Sequence, residues 1–373
     1  MNPTRSLGVV ALALLLSSTV CGAATIRVPE DHGTIGEAAG VAVLGDTIVV
    51  ASGTYSEHGI ALRSGVCLMG ETGDAADVSI DAFSQGRILS IDDSAGSGET
   101  VLTGLTFEGG LSITGGALLG CGTMRMIDVV FHGNVADQGG AIACAAGSIL
   151  ELEHCSFITN WGWIDGGAIF AEGLHLRASA CDFINNHAGQ SSAEPGRGGG
   201  ICMLGGESQC LLADVAFFCN QINLSVGLCG WGGGIYVESS DVVVTGCTFW
   251  DNTAAYGSDV YAESGLIENT IMAFSDGVFL SWYGSAPQLT CCNLFPGGWY
   301  GDIADQLGIN GNISEWPDFC ESLAEPPWAL DYDSPCAPAN SGGCGLIGAA
   351  DVGCYNISVT TPTSWGALKC LYK

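Results

Sequence analysis

The sequence predicts an all-β protein, a parallel β-helix solenoid of about ten coils closed at its N-terminal end by a helix. Two recurring signals and the residues between them carry that expectation. Phe-x-x-Asn occurs at Phe131/Asn134, Phe157/Asn160, Phe183/Asn186, Phe217/Asn220 and Phe249/Asn252. Alternating with it, a glycine pair is followed by a small and then an aliphatic residue, ending at Leu118, Ile142, Ile169, Ile201 and Ile235. Successive repeat phenylalanines stand 26, 26, 34 and 32 residues apart, the range of a stacked repeat rather than a globular core. Between the signals, runs such as SILELEHCSF and DVVVTGCTFW cluster or alternate apolar residues over strand lengths, without a helix-length stripe.

Coils of such a solenoid stack at roughly 4.8 Å, so equivalent residues lie above one another. The phenylalanines are therefore expected to form an interior stack and the asparagines a ladder of side-chain amides. Gly-Gly and Asn are expected at the turns, where they tolerate left-handed backbone.

The paired GGAI and Phe-x-x-Asn signals resemble polymorphic outer-membrane-protein repeats, a branch of the right-handed parallel β-helix (pectin-lyase-like) proteins, over about residues 105 to 262. The resemblance implies right-handed winding and a bacterial cell-surface or extracellular setting. It describes a scaffold and implies no particular activity. No series of ten-residue alternating segments follows the repeats, so an autotransporter barrel is not expected.

In chain order, residues 1–23 have the layout of a signal peptide. Arg5 precedes an apolar run from Leu7 to Val20, and Cys21, Gly22 and Ala23 offer small residues for cleavage. The run is too short to span a bilayer, and Val20 is bulkier than a lipoprotein site would carry before Cys21. Residues 24–100 form the N-terminal cap and first coils: a short strand, a helix-compatible stretch from Thr34 to about Val43 and a first coil strand in GDTIVV. A solenoid end exposes apolar rungs and unpaired backbone, which such a helix can cover. Residues 101–290 are the repeat β-helix, 291–355 the last coils and a cysteine-bearing cap, and 356–373 a linker and tail. The SPCAPAN, LIGA and VGC pieces of that cap resemble the closing segment of secreted bacterial β-helix proteins.

The chain has 39 acidic against 9 basic residues and a net charge of -30, which argues against nucleic-acid partners and anionic lipid surfaces. No calcium-binding nonapeptide or EF-hand pattern occurs, so no metal or cofactor is expected. The mature protein is expected to be exported, monomeric and without a transmembrane segment.

Two coils carry insertions, HAGQSSAEPGRGGG after Asn186 and QINLSVGLCGWGGG after Asn220, at the same corner. Lining up the glycine pairs gives a column beside them: Thr114, Gln138, Asp165, Arg197, Trp231 and Tyr256. Trp161 and Trp163 adjoin it. Flat aromatics beside charged groups suit a polysaccharide or cell-surface glycan, so Gln138, Trp161, Trp163, Asp165, Arg197 and Trp231 form the candidate ligand-binding edge. The competing reading makes them turn residues, with Asp165 and Arg197 a surface pair of little energetic value.

The alternative to an adhesion-like binder is a polysaccharide lyase or glycoside hydrolase on the same scaffold. The resemblance implies that such enzymes combine clustered carboxylates with a basic residue or a histidine. Here adjacent Asp92 and Asp93 face opposite ways on a strand, and His132, His154, His175 and His187 are dispersed. No residue is assigned as catalytic, and Asp165 and Arg197 are the best available acid and base. Cys155, Cys181 and Cys247, two residues before repeat phenylalanines, face inward as small hydrophobes or, one coil apart, as a marginal bridge. Cys320, Cys336, Cys344 and Cys354 allow three pairings, with at least one bridge expected in a cap too small for a core.

Overall fold

The computed structural model describes residues 23–92, 98–189, 195–205, 208–223, 230–238, 241–320 and 329–354. Residues 1–22, which hold nearly all of the expected signal peptide, the C-terminal tail, Asp93 and the tips of both insertions lie outside these residues.

Period-two burial gives the strands of the first coils one dry face. Ile48 and Val50 point inward in Thr47–Val50, as do Ile60 and Leu62 in Ile60–Arg63. The strands of the coils pair in parallel with their equivalents in neighbouring coils, and the stacks form three faces. The first runs from Thr25–Val28 through Ile149–Glu153 to Gln288–Thr290. The second includes Ser156–Ile158, Asp182–Ile184, Ala216–Phe218 and Thr248–Trp250. The third is a nine-stranded sheet from Ile60–Arg63 to Leu280–Trp282, and a four-stranded ribbon joins the second face to it. Thr25–Val28 already pairs with Thr47–Val50, so the solenoid starts one rung before the expected first coil strand.

The interior holds two columns. Phe107, Phe131, Phe157, Phe183, Phe217 and Phe249 are fully buried and stack with centroid separations of 4.6 to 5.3 Å. Opposite them stand Leu118, Ile142, Ile169, Ile201 and Ile235, also fully buried. Phe107 joins the stack although its coil has Gly110 in place of the repeat asparagine.

The asparagines form the expected ladder but do not take the left-handed positions of the turns. Left-handed backbone falls on the preceding residue, at Gly133, Thr159, Asn185, Cys219 and Asp251. The repeat asparagine instead turns inward. Asn160 Nδ2 donates to Asn186 Oδ1 at 3.0 Å and to the Phe131 carbonyl at 3.0 Å, and Asn186 repeats the pattern toward Asn220 and Phe157. The ladder thus satisfies buried carbonyls that each corner removes from the sheet.

In each glycine pair the two glycines have separate reasons. The first takes positive φ, 67° at Gly139 and 62° at Gly166. The second leaves no room for a Cβ: one on Gly167 would run into the Gly199 carbonyl and the His187 backbone of the next coil.

Both ends are covered. Helix Ile35–Val41 buries Ile35, Ala38 and Ala39 against the first coils, with Thr34 accepting from the Glu37 amide and Glu57 from those of Ile35 and Gly36. At the other end residues 298–306 form a C-terminal plug, from which Trp299 and Ile303 join the main core. Gln306 accepts from the Leu289 amide and donates to the Pro287 carbonyl, pairing the open edge of the last rung.

The cysteine-bearing segment does not cover that end. It folds back along the outer side of the second face, where Phe319, Leu330, Cys336 and Ile347 pack on Ile184, Phe218, Trp250 and Ile271. Two disulfides hold it, Cys320–Cys354 within the segment and Cys291–Cys344 to the solenoid. The Cys344 partner is therefore a cysteine of the last coil, outside the expected set of four, while Cys336 stays a buried free thiol.

Candidate functional site

The glycine-pair turns bring the expected column into one line. Thr114 pairs with Gln138, Gln138 with Asp165, Asp165 with Arg197, Arg197 with Trp231 and Trp231 with Tyr256. The stacking follows from the fixed turn, because each column residue immediately precedes the left-handed glycine.

Asp165 and Arg197 are not a surface pair. Asp165 is fully buried, and Arg197 grips it through Nε at 2.9 Å and Nη2 at 2.7 Å. That bidentate bond holds the guanidinium well above its ordinary pKa, against the desolvation that pulls it down. The guanidinium carbon also lies 5.8 Å from the Tyr236 ring centre. Asp165 is the one buried member of the column; Thr114, Gln138, Arg197 and Trp231 are half-buried and Tyr256 is exposed. Arg197 is consequently committed to the protein and not free to meet a ligand carboxylate.

The tryptophans divide. Trp163 stands on a bulge of the four-stranded ribbon, where one extra residue separates Gly162 from Asp165, and is 43% exposed. Trp161 stacks on His187 at 4.8 Å, and its buried indole N–H has no acceptor among the described residues. Burial pushes His187 down to about 4, so it is a neutral ring at physiological pH. Trp231, expected as an exposed anchor, is half-buried and packs with Phe170, Cys202 and Tyr236.

Beyond Trp231 the column opens into a cleft of about 420 Å³ between the third face and the C-terminal plug. Its walls are largely aromatic: Trp231, Tyr256, Tyr261, Trp282 and Tyr300. Tyr261 stacks on Tyr236 at 5.2 Å and on Tyr283 at 5.8 Å, so the rings are positioned in register by the coils. Tyr256 is 46% exposed, leaving a ring available to solvent. The polar lining comes from Tyr hydroxyls, Ser281 and backbone, and no Asp or Glu lines it.

Sequence reasoning reached Trp231 and Tyr256 but missed Tyr261, Trp282 and Tyr300. The signal for Tyr261 was present. The residue after each third-face aliphatic points outward, which gives Phe170, Cys202, Tyr236 and Tyr261 in successive coils. Tyr300 belongs to the plug, which carries no repeat signal.

Elsewhere the titratable groups form no obvious centre. Among the described residues no three His, Cys, Asp or Glu side chains gather as metal ligands. Burial pushes the thiols of Cys210, Cys247 and Cys292 up to about 12, and Cys155 and Cys181 are unbridged in the interior.

The fold and cleft together define a β-solenoid with an aromatic lateral groove. The sequence matches the right handed beta helix region over residues 90–294, and the chain belongs to that family. A comparison with curated proteins gives no match.

Proposed function

We propose that the protein is an exported, non-catalytic carbohydrate-binding scaffold of the bacterial cell surface or extracellular space. The observation that carries the reading is the aromatic cleft beside the insertion-bearing edge. Tyrosine and tryptophan faces suit the apolar faces of sugar rings, and their polar edges suit the hydroxyls. Rings stacked by the coils are held before binding, which limits the ordering cost.

The alternative of a lyase or hydrolase gains little from this site. Glycoside hydrolysis generally needs two carboxyl groups flanking the bond, and the cleft lining supplies none. Asp165 and Arg197, the best acid and base in the sequence, neutralise each other. The polymorphic outer-membrane-protein and pectin-lyase-like affinities, the export signal in residues 1–23 and the division of the chain at residues 100, 290 and 355 belong to the same reading.

The purified mature protein applied to a glycan array, with product analysis on every bound sugar, tests it. Binding of a glycan that is recovered intact is the expected result. Shortened or unsaturated products would establish the enzymatic alternative.

A further inference from the structure

The charge around the cleft selects among sugars. Among the described residues every arginine is already engaged. Arg27 pairs with Glu71, Arg125 with Glu153, Arg177 with Glu151 and Arg197 with Asp165. Arg63 donates to the Ala42 carbonyl and Arg87 to backbone and hydroxyl oxygens. None of the described arginines lines the cleft, so an anionic sugar meets no cation in its walls.

Acidic groups are close by. Burial first raises the hydroxyls of Tyr236 and Tyr261, and Glu238 is among the charged neighbours that add to the rise. Asp302 is exposed between two residues of the cleft wall, Gly301 and Ile303. The whole chain adds the field of its net charge of -30, which concentrates cations at its surface.

We infer that the cleft takes an amino sugar in its cationic form, its ammonium group set against the tyrosine and tryptophan faces. This rests on the carbohydrate-binding reading above and narrows it to one chemical class. The quadrupole of an aromatic face attracts a cation, and desolvation between walls strengthens that attraction. Acetylating the amine removes the charge and keeps the ring.

The test compares four trisaccharides by calorimetry with the full mature chain: glucosamine, N-acetylglucosamine, glucose and galacturonate. The glucosamine trimer is expected to bind about three- to thirtyfold tighter than the acetylated one. That preference should shrink at about 1 M salt, where the Debye length falls to about 3 Å. Because a polyanion adsorbs cations anywhere, the same titrations use the double variant Tyr256→Ala and Tyr300→Ala, which keeps the net charge. Loss of the preference in that variant supports the inference, and an unchanged preference shows surface adsorption and overturns it. Equal or tighter binding of the neutral or acidic trimers also overturns it, while leaving carbohydrate binding in place. Binding of none of the four overturns the inference and leaves carbohydrate binding to the glycan array.

Discussion

Asn186 illustrates how single side chains hold this solenoid. Its amide donates to the Phe157 carbonyl at 2.9 Å and to Asn220 Oδ1 at 2.9 Å, and its own oxygen accepts from Asn160. Asn186→Ala leaves several buried groups unpaired and should cost about 3 kcal/mol or more, measurable by urea denaturation. Asp259 is the exception among repeat positions: it stands where Ala168 and Gly200 stand in earlier coils, fully buried and accepting from Asn252 and Ser275. Burial pushes its carboxyl up to about 7, the bonds from Ser275 and Asn252 pull it down, and Asp251 is the charged neighbour that adds to the rise. A folded value above the unfolded one means that the stabilising form is the neutral one. Its contribution is complete below the ordinary value of 3.8 and is lost as pH rises through about 7. Asp259→Asn should flatten the fall in melting temperature over that window, and an unaltered pH profile would assign the slope elsewhere. The asparagine ladder was legible in the sequence, but the place of the left-handed turn, one residue earlier, was not. Propensity places Asn in turns, whereas here tertiary hydrogen bonding decides its role.

At the scale of elements, the glycine pairs and the folded-back segment do most to shape the molecule. Gly167→Ala should destabilise by several kcal/mol because its Cβ meets backbone that cannot move without parting two coils. Gly147→Ala, left-handed with nothing nearby, should cost only about 1 to 2 kcal/mol. Equal losses in thermal denaturation would mean that the close approach of the next coil at Gly167 adds nothing. Cys344→Ser frees the segment from Cys291 and should increase binding of a hydrophobic dye, as Phe218 and Trp250 lose their cover. Unchanged dye binding would show that packing alone retains it. The repeats made the coils, interior columns and aligned edge readable, because each recurs at a fixed offset. The fold-back and the plug lay beyond that reach. They occur once, and their partners are distant in sequence, as with Cys291 and Cys344 at a separation of 53.

For the whole molecule, the three faces act as a rigid frame that sets the spacing of anything mounted on its edge. Column residues stack because the coils do, and the cleft forms where the third face meets the plug. Its aromatic character was half visible, in Trp231 and Tyr256, and half hidden, because Trp282 sits on the last strand of the third face and Tyr300 in the plug, both beyond the repeat signals. Trp231 packs against Phe170 and Tyr236, so its removal would confuse stability with recognition. Tyr256 offers the cleaner probe, since nearly half its surface is free. Affinity for the best-bound glycan and melting temperature, both measured on the parent protein and on Tyr256→Ala, test the cleft most directly. The account predicts an affinity loss of about 1 to 3 kcal/mol with the melting temperature unchanged. Undiminished affinity in a stably folded Tyr256→Ala would contradict it.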